Sequence, residues 1–173
     1  MLDSVQKARK IYLKPGEMHF AGRPTIVTTV LGSCVSVTIF SRKHATGAIC
    51  HGMLPSYKDR GMSEQMSPEG LRYVDCAIEQ MLRKFMSKGI AESDLEVKLF
   101  GGAEMLPNCL PSKNVTVGRQ NIEIAIRMIK DKNLNLVSSD LGGLQGRKII
   151  FYTHTGDVFL KRLKKTEYLS ELE

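Results

Sequence analysis

The sequence contains no tryptophan, and aromatic residues make up only 6% of its 173 positions. Surfaces on which bases or sugars stack need several aromatic side chains, so such a surface is poorly supplied here. No apolar stretch approaches the roughly 18 uncharged residues of a membrane-spanning helix. The N-terminus also lacks the apolar core and small-residue cleavage site of a secretory signal. We therefore expect a cytoplasmic protein without direct membrane insertion.

Paired cysteine motifs are also missing. The four cysteines, Cys34, Cys50, Cys76 and Cys109, lie far apart and form no CxxC pair. This spacing argues against a structural zinc site or a thioredoxin-like motif, and in a reducing compartment we expect free thiols. We expect neither a metal nor an organic cofactor.

Charge is the composition's clearest bias, with 25 Lys and Arg against 18 Asp and Glu, a formal net charge of +7. A positive net charge favours binding to acidic partners. The basic residues are spread out except for "KRLKK" at 161–165, which is typical of a solvated end, so we expect a basic C-terminal tail over about 161–173. No signature of a nucleic-acid-binding fold is present, and a nucleic-acid partner is not expected.

The chain length fits one domain spanning residues 1–173. Period-two alternation and β-branched residues predict the strands. Apolar residues at helical spacing after a Ser67 N-cap predict one helix. Length and charge pattern predict a second helix, although its segment "IEIAI" at 122–126 alone could be a strand. Residues 56–66 are predicted to form a polar loop. The predicted strands are 9–14, 25–31, 34–40, 46–54, 95–100, 134–139 and a hairpin over 148–163, and the predicted helices are 67–88 and 121–133. This order predicts an α+β (mixed α/β) domain.

Cys34 is the cysteine placed for chemistry. It follows a Gly32-Ser33 corner between two apolar strands, where the chain turns sharply and backbone N–H groups lie close to the sulfur. Such N–H groups can bind an oxyanion, and glycine permits the torsions that a sharp turn needs. A buried cysteine is more often an inert apolar residue, which is our interpretation of Cys50 and Cys76.

A thiol nucleophile needs a base, and His51 is the histidine that lies in an apolar run near enough to share a neighbouring strand. The alternative is a core histidine bonded to a backbone carbonyl. A third group usually orients the base, and Thr28 and Thr29 are the hydroxyl candidates. They point to opposite faces of a strand, so only one can reach His51, and the pattern alone leaves the choice open.

Several motifs together resemble the CheD family of chemoreceptor glutamine deamidases. They are "TTVLGSCVSV" at 28–37, "GAICHGMLP" at 47–55, "LFGGAEM" at 99–105, "VGRQN" at 117–121 and "DLGGLQGRKIIFYTHTGDVFLKRL" at 140–163. The resemblance implies two packed β-sheets flanked by helices, similar to the catalytic domains of cytotoxic necrotizing factor toxins. It implies that Cys34 is the nucleophile, His51 the base and Thr28 the orienting residue, with backbone support from Gly32 and Ser33.

The resemblance also implies a reaction and partners. The reaction is deamidation of glutamine to glutamate on the cytoplasmic helices of methyl-accepting chemotaxis receptors, and the second partner is the CheC phosphatase. We further expect His51 to lower the pKa of Cys34, because an imidazolium beside a thiol favours the thiolate. Two alternatives stay open: a non-catalytic adaptor that binds the receptor or CheC, and a cysteine hydrolase that acts on another amide.

Overall fold

The computed structural model describes residues 8–57, 68–105 and 115–171. In chain order the strands are β1 (Arg9–Tyr12), β2 (Met18–Ala21), β3 (Thr25–Leu31), β4 (Val35–Ser41), β5 (Thr46–Cys50), β6 (Leu95–Gly101), β7 (Asn135–Leu141), β8 (Gly146–Tyr152) and β9 (Val158–Leu163). The α-helices are α1 (Val74–Ser87), α2 (Val117–Asp131) and α3 (Lys165–Ser170), with 3-10 turns at Pro68–Arg72 and Glu92–Asp94.

The strands form two mixed sheets. The four-stranded sheet has the order β1-β3-β8-β9, and the five-stranded sheet has the order β2-β5-β4-β6-β7. β3 and β4 are consecutive in the chain but belong to different sheets, so the corner between them crosses from one sheet to the other. That crossing is the Gly32-Ser33-Cys34 stretch.

Two apolar clusters separate the layers. One lies between the sheets and includes Val27, Leu31, Ile49, Phe100 and Phe151. The other lies between the opposite face of the five-stranded sheet and helices α1 and α2, whose amphipathic stripes it buries. The α+β prediction of two packed sheets flanked by helices is confirmed.

The predicted elements differ from the observed ones mainly at their ends. The first helix is divided into the 3-10 turn and α1, and its predicted cap, Ser67, lies outside the described residues. Helix α2 begins at Val117, four residues before the predicted start, with the Thr116 side chain accepting from the Arg119 N–H. Strand β2 was not predicted, and most of the polar loop over 56–66 lies outside the described residues.

The C-terminal segment, which was expected to be a solvated basic tail, is folded over residues 161–171, and its Lys161 and Arg162 side chains are exposed. Residues 161–163 finish β9, and α3 follows with ion pairs from Lys161 to Glu167 and from Lys148 to Glu171. Tyr168 of α3 packs on Gly32 and Gly146, where an added Cβ would collide with its ring or hydroxyl. The helix therefore docks against the β3–β4 corner.

Within the described ranges, no helix is both long and apolar enough to cross a membrane.

Candidate active site

Cys34 lies at the corner between the sheets with all three carbonyls of the corner engaged. The Gly32 carbonyl accepts from the Ala103 N–H at 2.9 Å, and the Cys34 carbonyl accepts from the Gly102 N–H at 2.8 Å. The Ser33 carbonyl accepts from the Asn121 side chain at 3.0 Å. Each peptide plane of the corner is thereby held in one orientation.

The N–H groups of the corner remain available. A trans peptide points its C=O and N–H in opposite directions, so tying the Gly32 and Ser33 carbonyls turns the Ser33 and Cys34 N–H groups the other way. Neither N–H donates to any acceptor in the described part of the chain. The Cys34 N–H lies near its own sulfur, where it favours the thiolate and opposes the rise in the thiol pKa. Two free donors beside a thiol fit an oxyanion site.

The strand register brings His51 to the same face as Cys34. β4 and β5 are antiparallel with Thr38 opposite Ile49, and a bridge beyond the strand ends pairs Val35 with Gly52. The same register places Ser36 opposite His51 and Cys34 opposite Met53. Cys34 and His51 are therefore diagonal neighbours on the face between the sheets, and the Cα atoms of such pairs lie about 7–8 Å apart. Nε2 of His51 forms no hydrogen bond with the Cys34 sulfur.

His51 is positioned by the segment that follows β1. Its carbonyl accepts from the Gly16 N–H at 2.8 Å, and its N–H donates to the Glu17 carbonyl at 3.0 Å. The residue is only 2% exposed. These two bonds fix the main chain at His51, and burial encloses its imidazole.

Thr29, not Thr28, contacts the imidazole. The Thr29 hydroxyl lies 2.7 Å from His51 Nδ1 and donates to the Leu13 carbonyl at 2.8 Å. The Thr28 side chain, which was predicted to orient the base, does not make this contact. Alternation places Thr29 with Val27 and Leu31 on the face between the sheets and turns the Thr28 side chain to the opposite face. Thr28 contributes only its carbonyl, which accepts from the Leu13 N–H.

These bonds define the imidazole tautomer. The Leu13 carbonyl can only accept, so we assign the single proton of the Thr29 hydroxyl to it; on that assignment the hydroxyl oxygen accepts from His51 and Nδ1 carries the hydrogen. Nε2 is then the basic nitrogen, and it is buried without a partner among the described residues. The arrangement leaves a lone pair on the side of the ring remote from Thr29.

Burial makes the pair neutral. It raises the pKa of the Cys34 thiol to about 11 and lowers the pKa of the His51 imidazole to about 4, the latter opposed by the Leu13 carbonyl. At pH 7 both groups are uncharged, so the structure runs against the expected thiolate–imidazolium pair.

The other two described cysteines, Cys50 and Cys76, lie on other elements. Cys50 is fully buried on the helix side of the five-stranded sheet, and burial raises its pKa to about 12. Cys76 lies on α1, and Cys109 is outside the described residues. Across the described ranges, no group of three or more His, Cys, Asp or Glu side chains is placed to hold a metal ion.

Sequence reasoning missed two residues at the site. Asn121 is fully buried on α2, and its side chain reaches the corner. The available signal was its spacing of three and four positions from Ile124 and Ala125, which places this polar residue on the apolar face of the helix. Tyr168 of α3 packs on Gly32. This helix was not predicted, because the basic residues before it favoured a solvated tail.

A family model described as CheD chemotactic sensory transduction matches residues 53–162. A probable chemoreceptor glutamine deamidase CheD 2 from Geobacter sulfurreducens is 49% identical over 93% of this chain and 94% of its own length. A probable chemoreceptor glutamine deamidase CheD from Maridesulfovibrio salexigens is 41% identical over 91% of this chain and 94% of its own length. One from Nitratidesulfovibrio vulgaris is 39% identical over 92% of this chain and 80% of its own length. The chain belongs to the CheD family.

Proposed function

We propose that this protein is a chemoreceptor glutamine deamidase, in which Cys34 is the nucleophile, His51 the base and Thr29 the residue that orients the base. The observation that carries this proposal is the combination at one corner: a thiol, two free N–H groups, and an imidazole whose tautomer leaves Nε2 basic. Nucleophile, base and oxyanion donors are the parts that acyl transfer requires.

The reaction begins from the neutral pair. As Sγ of Cys34 bonds to the carboxamide carbon, its proton passes to Nε2 of His51, and the carbonyl oxygen takes up negative charge at the Ser33 and Cys34 N–H groups. The imidazolium then gives the proton to the carboxamide nitrogen. The C–N bond breaks, ammonia departs, and the substrate remains bound to Cys34 as a thioester. Water, deprotonated by His51, attacks the thioester and releases glutamate with the thiol restored.

The substrate is a glutamine on the cytoplasmic helices of methyl-accepting chemotaxis receptors. Relatives at 49% and 41% identity are named for chemoreceptor glutamine deamidation, which supports the assignment. Conversion to glutamate adds one negative charge to the receptor, a change of the kind by which charge-altering modifications act. A net charge of +7 favours encounter with acidic helices. The proposed location is the cytoplasm, where those helices lie.

We propose the CheC phosphatase as a second partner, on the resemblance to the family alone. Copurification of the two purified proteins by size exclusion tests the association. Separate elution at micromolar concentrations of both would remove CheC from the partners of this chain.

Intact-mass spectrometry of a receptor cytoplasmic fragment tests the activity. Each deamidated glutamine adds about 1 Da because an NH2 group is exchanged for OH, and peptide mapping locates it. Cys34→Ala is the matched control and should give no shift. Fragments would indicate a hydrolase of another amide, and binding without any mass change would indicate an adaptor, so either result would reject the proposal.

A further inference from the structure

One buried side chain joins the two stretches that carry the catalytic groups. Asn121 of α2 is 0% exposed, and its Nδ2 donates to the Ser33 carbonyl at 3.0 Å and to the Met53 carbonyl at 3.0 Å. Ser33 precedes the nucleophile, and Met53 lies two residues after the base.

The orientation of this amide follows from its neighbours. Both contacts are carbonyl oxygens, which only accept, so the NH2 end must face them. The Oδ1 atom is buried without a partner among the described residues. Helix α2 comes this close because Gly118 packs against the carbonyls of Gly102 and Ala103, where an added Cβ would lie 2.8 Å and 2.9 Å from the oxygens.

The Ser33 carbonyl belongs to the same peptide unit as the Cys34 N–H. Because that unit is planar and trans, the bond from Asn121 sets the direction in which the Cys34 N–H points. We infer that Asn121 is a positioning residue for the oxyanion site, which holds the Ser33–Cys34 peptide with its N–H turned toward the reacting carbonyl. The inference rests on the proposed chemistry at Cys34 and does not depend on which receptor is the substrate.

A merely structural role and a positioning role differ in what they change. If Asn121 only stabilises the fold, its replacement affects every reaction of Cys34 alike. If it aims the N–H, its replacement weakens only reactions that place negative charge on an oxygen. Losing one oxyanion donor typically costs 10²–10³ in rate, and misaiming one should cost about 10- to 100-fold.

Two probes separate these roles. A capped glutamate semialdehyde, which replaces the glutamine carboxamide by an aldehyde, forms a hemithioacetal held as its oxyanion: Sγ bonds to the carbonyl carbon, the thiol proton passes to Nε2 of His51, and the former carbonyl oxygen carries the negative charge. Iodoacetamide alkylates the same sulfur with loss of iodide and builds no oxyanion. In Asn121→Leu we expect aldehyde affinity and kcat for deamidation to fall by about 10- to 100-fold, with KM and the alkylation rate within about twofold.

Asn121→Asp supplies a second readout and serves if Asn121→Leu does not fold. A carboxylate cannot donate, whereas the protonated acid donates one hydrogen bond. Aldehyde affinity relative to wild type should therefore recover as the pH is lowered. Gln120→Leu, at a partly exposed neighbouring position whose side chain bonds only to the Val115 carbonyl, is the matched control and should match wild type.

Equal losses toward both probes, or no loss in either Asn121 variant, would overturn the inference. A wild-type protein that forms no hemithioacetal would overturn the proposed chemistry at Cys34 and the inference with it. Both probes act without a receptor, so a failure to deamidate receptors leaves the comparison intact.

Discussion

Replacing Thr29 with valine removes a single hydroxyl from the contact between β3 and His51 while keeping the branched shape that suits a strand. That hydroxyl accepts from His51 Nδ1 at 2.7 Å and donates to the Leu13 carbonyl at 2.8 Å. In Thr29→Val both partners stay buried but lose their hydrogen bond. The imidazole is then free to move its hydrogen to Nε2, the tautomer that cannot accept the thiol proton.

The size of the effect follows from these two bonds. Each buried group left unpaired costs about 1–3 kcal/mol, and the added buried methyl returns about 0.8 kcal/mol. We expect a net loss of about 2 kcal/mol, which lowers Tm by about 4–8 °C in a chain of this size. General base catalysis supplies about 10²–10⁴ in rate, so a misoriented base should reduce kcat by about 10- to 100-fold.

Steady-state deamidation and thermal unfolding measure the two effects. Thr28→Val is the matched control, because the Thr28 side chain faces away from His51 and only its carbonyl contributes, so we expect kcat within about twofold of wild type and a stability change within about 0.5 kcal/mol. Thr29→Ser retains the hydroxyl and should restore most of kcat. A wild-type kcat in Thr29→Val, or a larger defect in Thr28→Val, would refute the assignment of the strand faces.

Three further predictions follow from the site. Cys34→Ala should abolish deamidation, whereas Cys76→Ala should retain it, and the intact mass of the substrate measures both. Deamidation by Cys34→Ala would show that Cys34 is not the nucleophile. The pKa of Cys34 is near 11 rather than the ordinary 9.0, so its thiolate fraction at pH 8 is about 100-fold lower than that of a free cysteine. The rate of Cys34 alkylation should therefore still climb with pH up to about 10. A rate that reaches its plateau near pH 7 would instead indicate a thiolate–imidazolium ion pair. The unfolded chain binds a proton at His51 near pH 6.5 and the folded chain only near pH 4, so stability should fall by about 3 kcal/mol as pH drops through that window. His51→Gln should lack that part of the acid dependence in urea unfolding, and identical curves would contradict the buried neutral imidazole.

Much of the molecule could be predicted from local patterns. The β-branched runs at 25–31 and 34–40 specify strands, and the Gly32-Ser33 corner between them marks Cys34, because strand propensity and glycine torsions act over a few neighbouring residues. Motif order then led to the family, which the comparisons confirm. What these patterns share is that their physical cause lies within a short stretch of chain.

The choice between Thr28 and Thr29 was not of this kind. Ile26 and Val30 on one face of β3 are as apolar as Val27 and Leu31 on the other, and all four are buried, so alternation could not tell which face meets the second sheet. The pairing of the sheets decides it, and it also brings Asn121 from 88 positions away to the Ser33 carbonyl. The same packing removes water from Cys34 and His51 and so sets the direction of both pKa values. Residue types and local spacing come from the sequence alone, whereas facing, distance between remote residues and loss of solvent arise only when the layers close on one another.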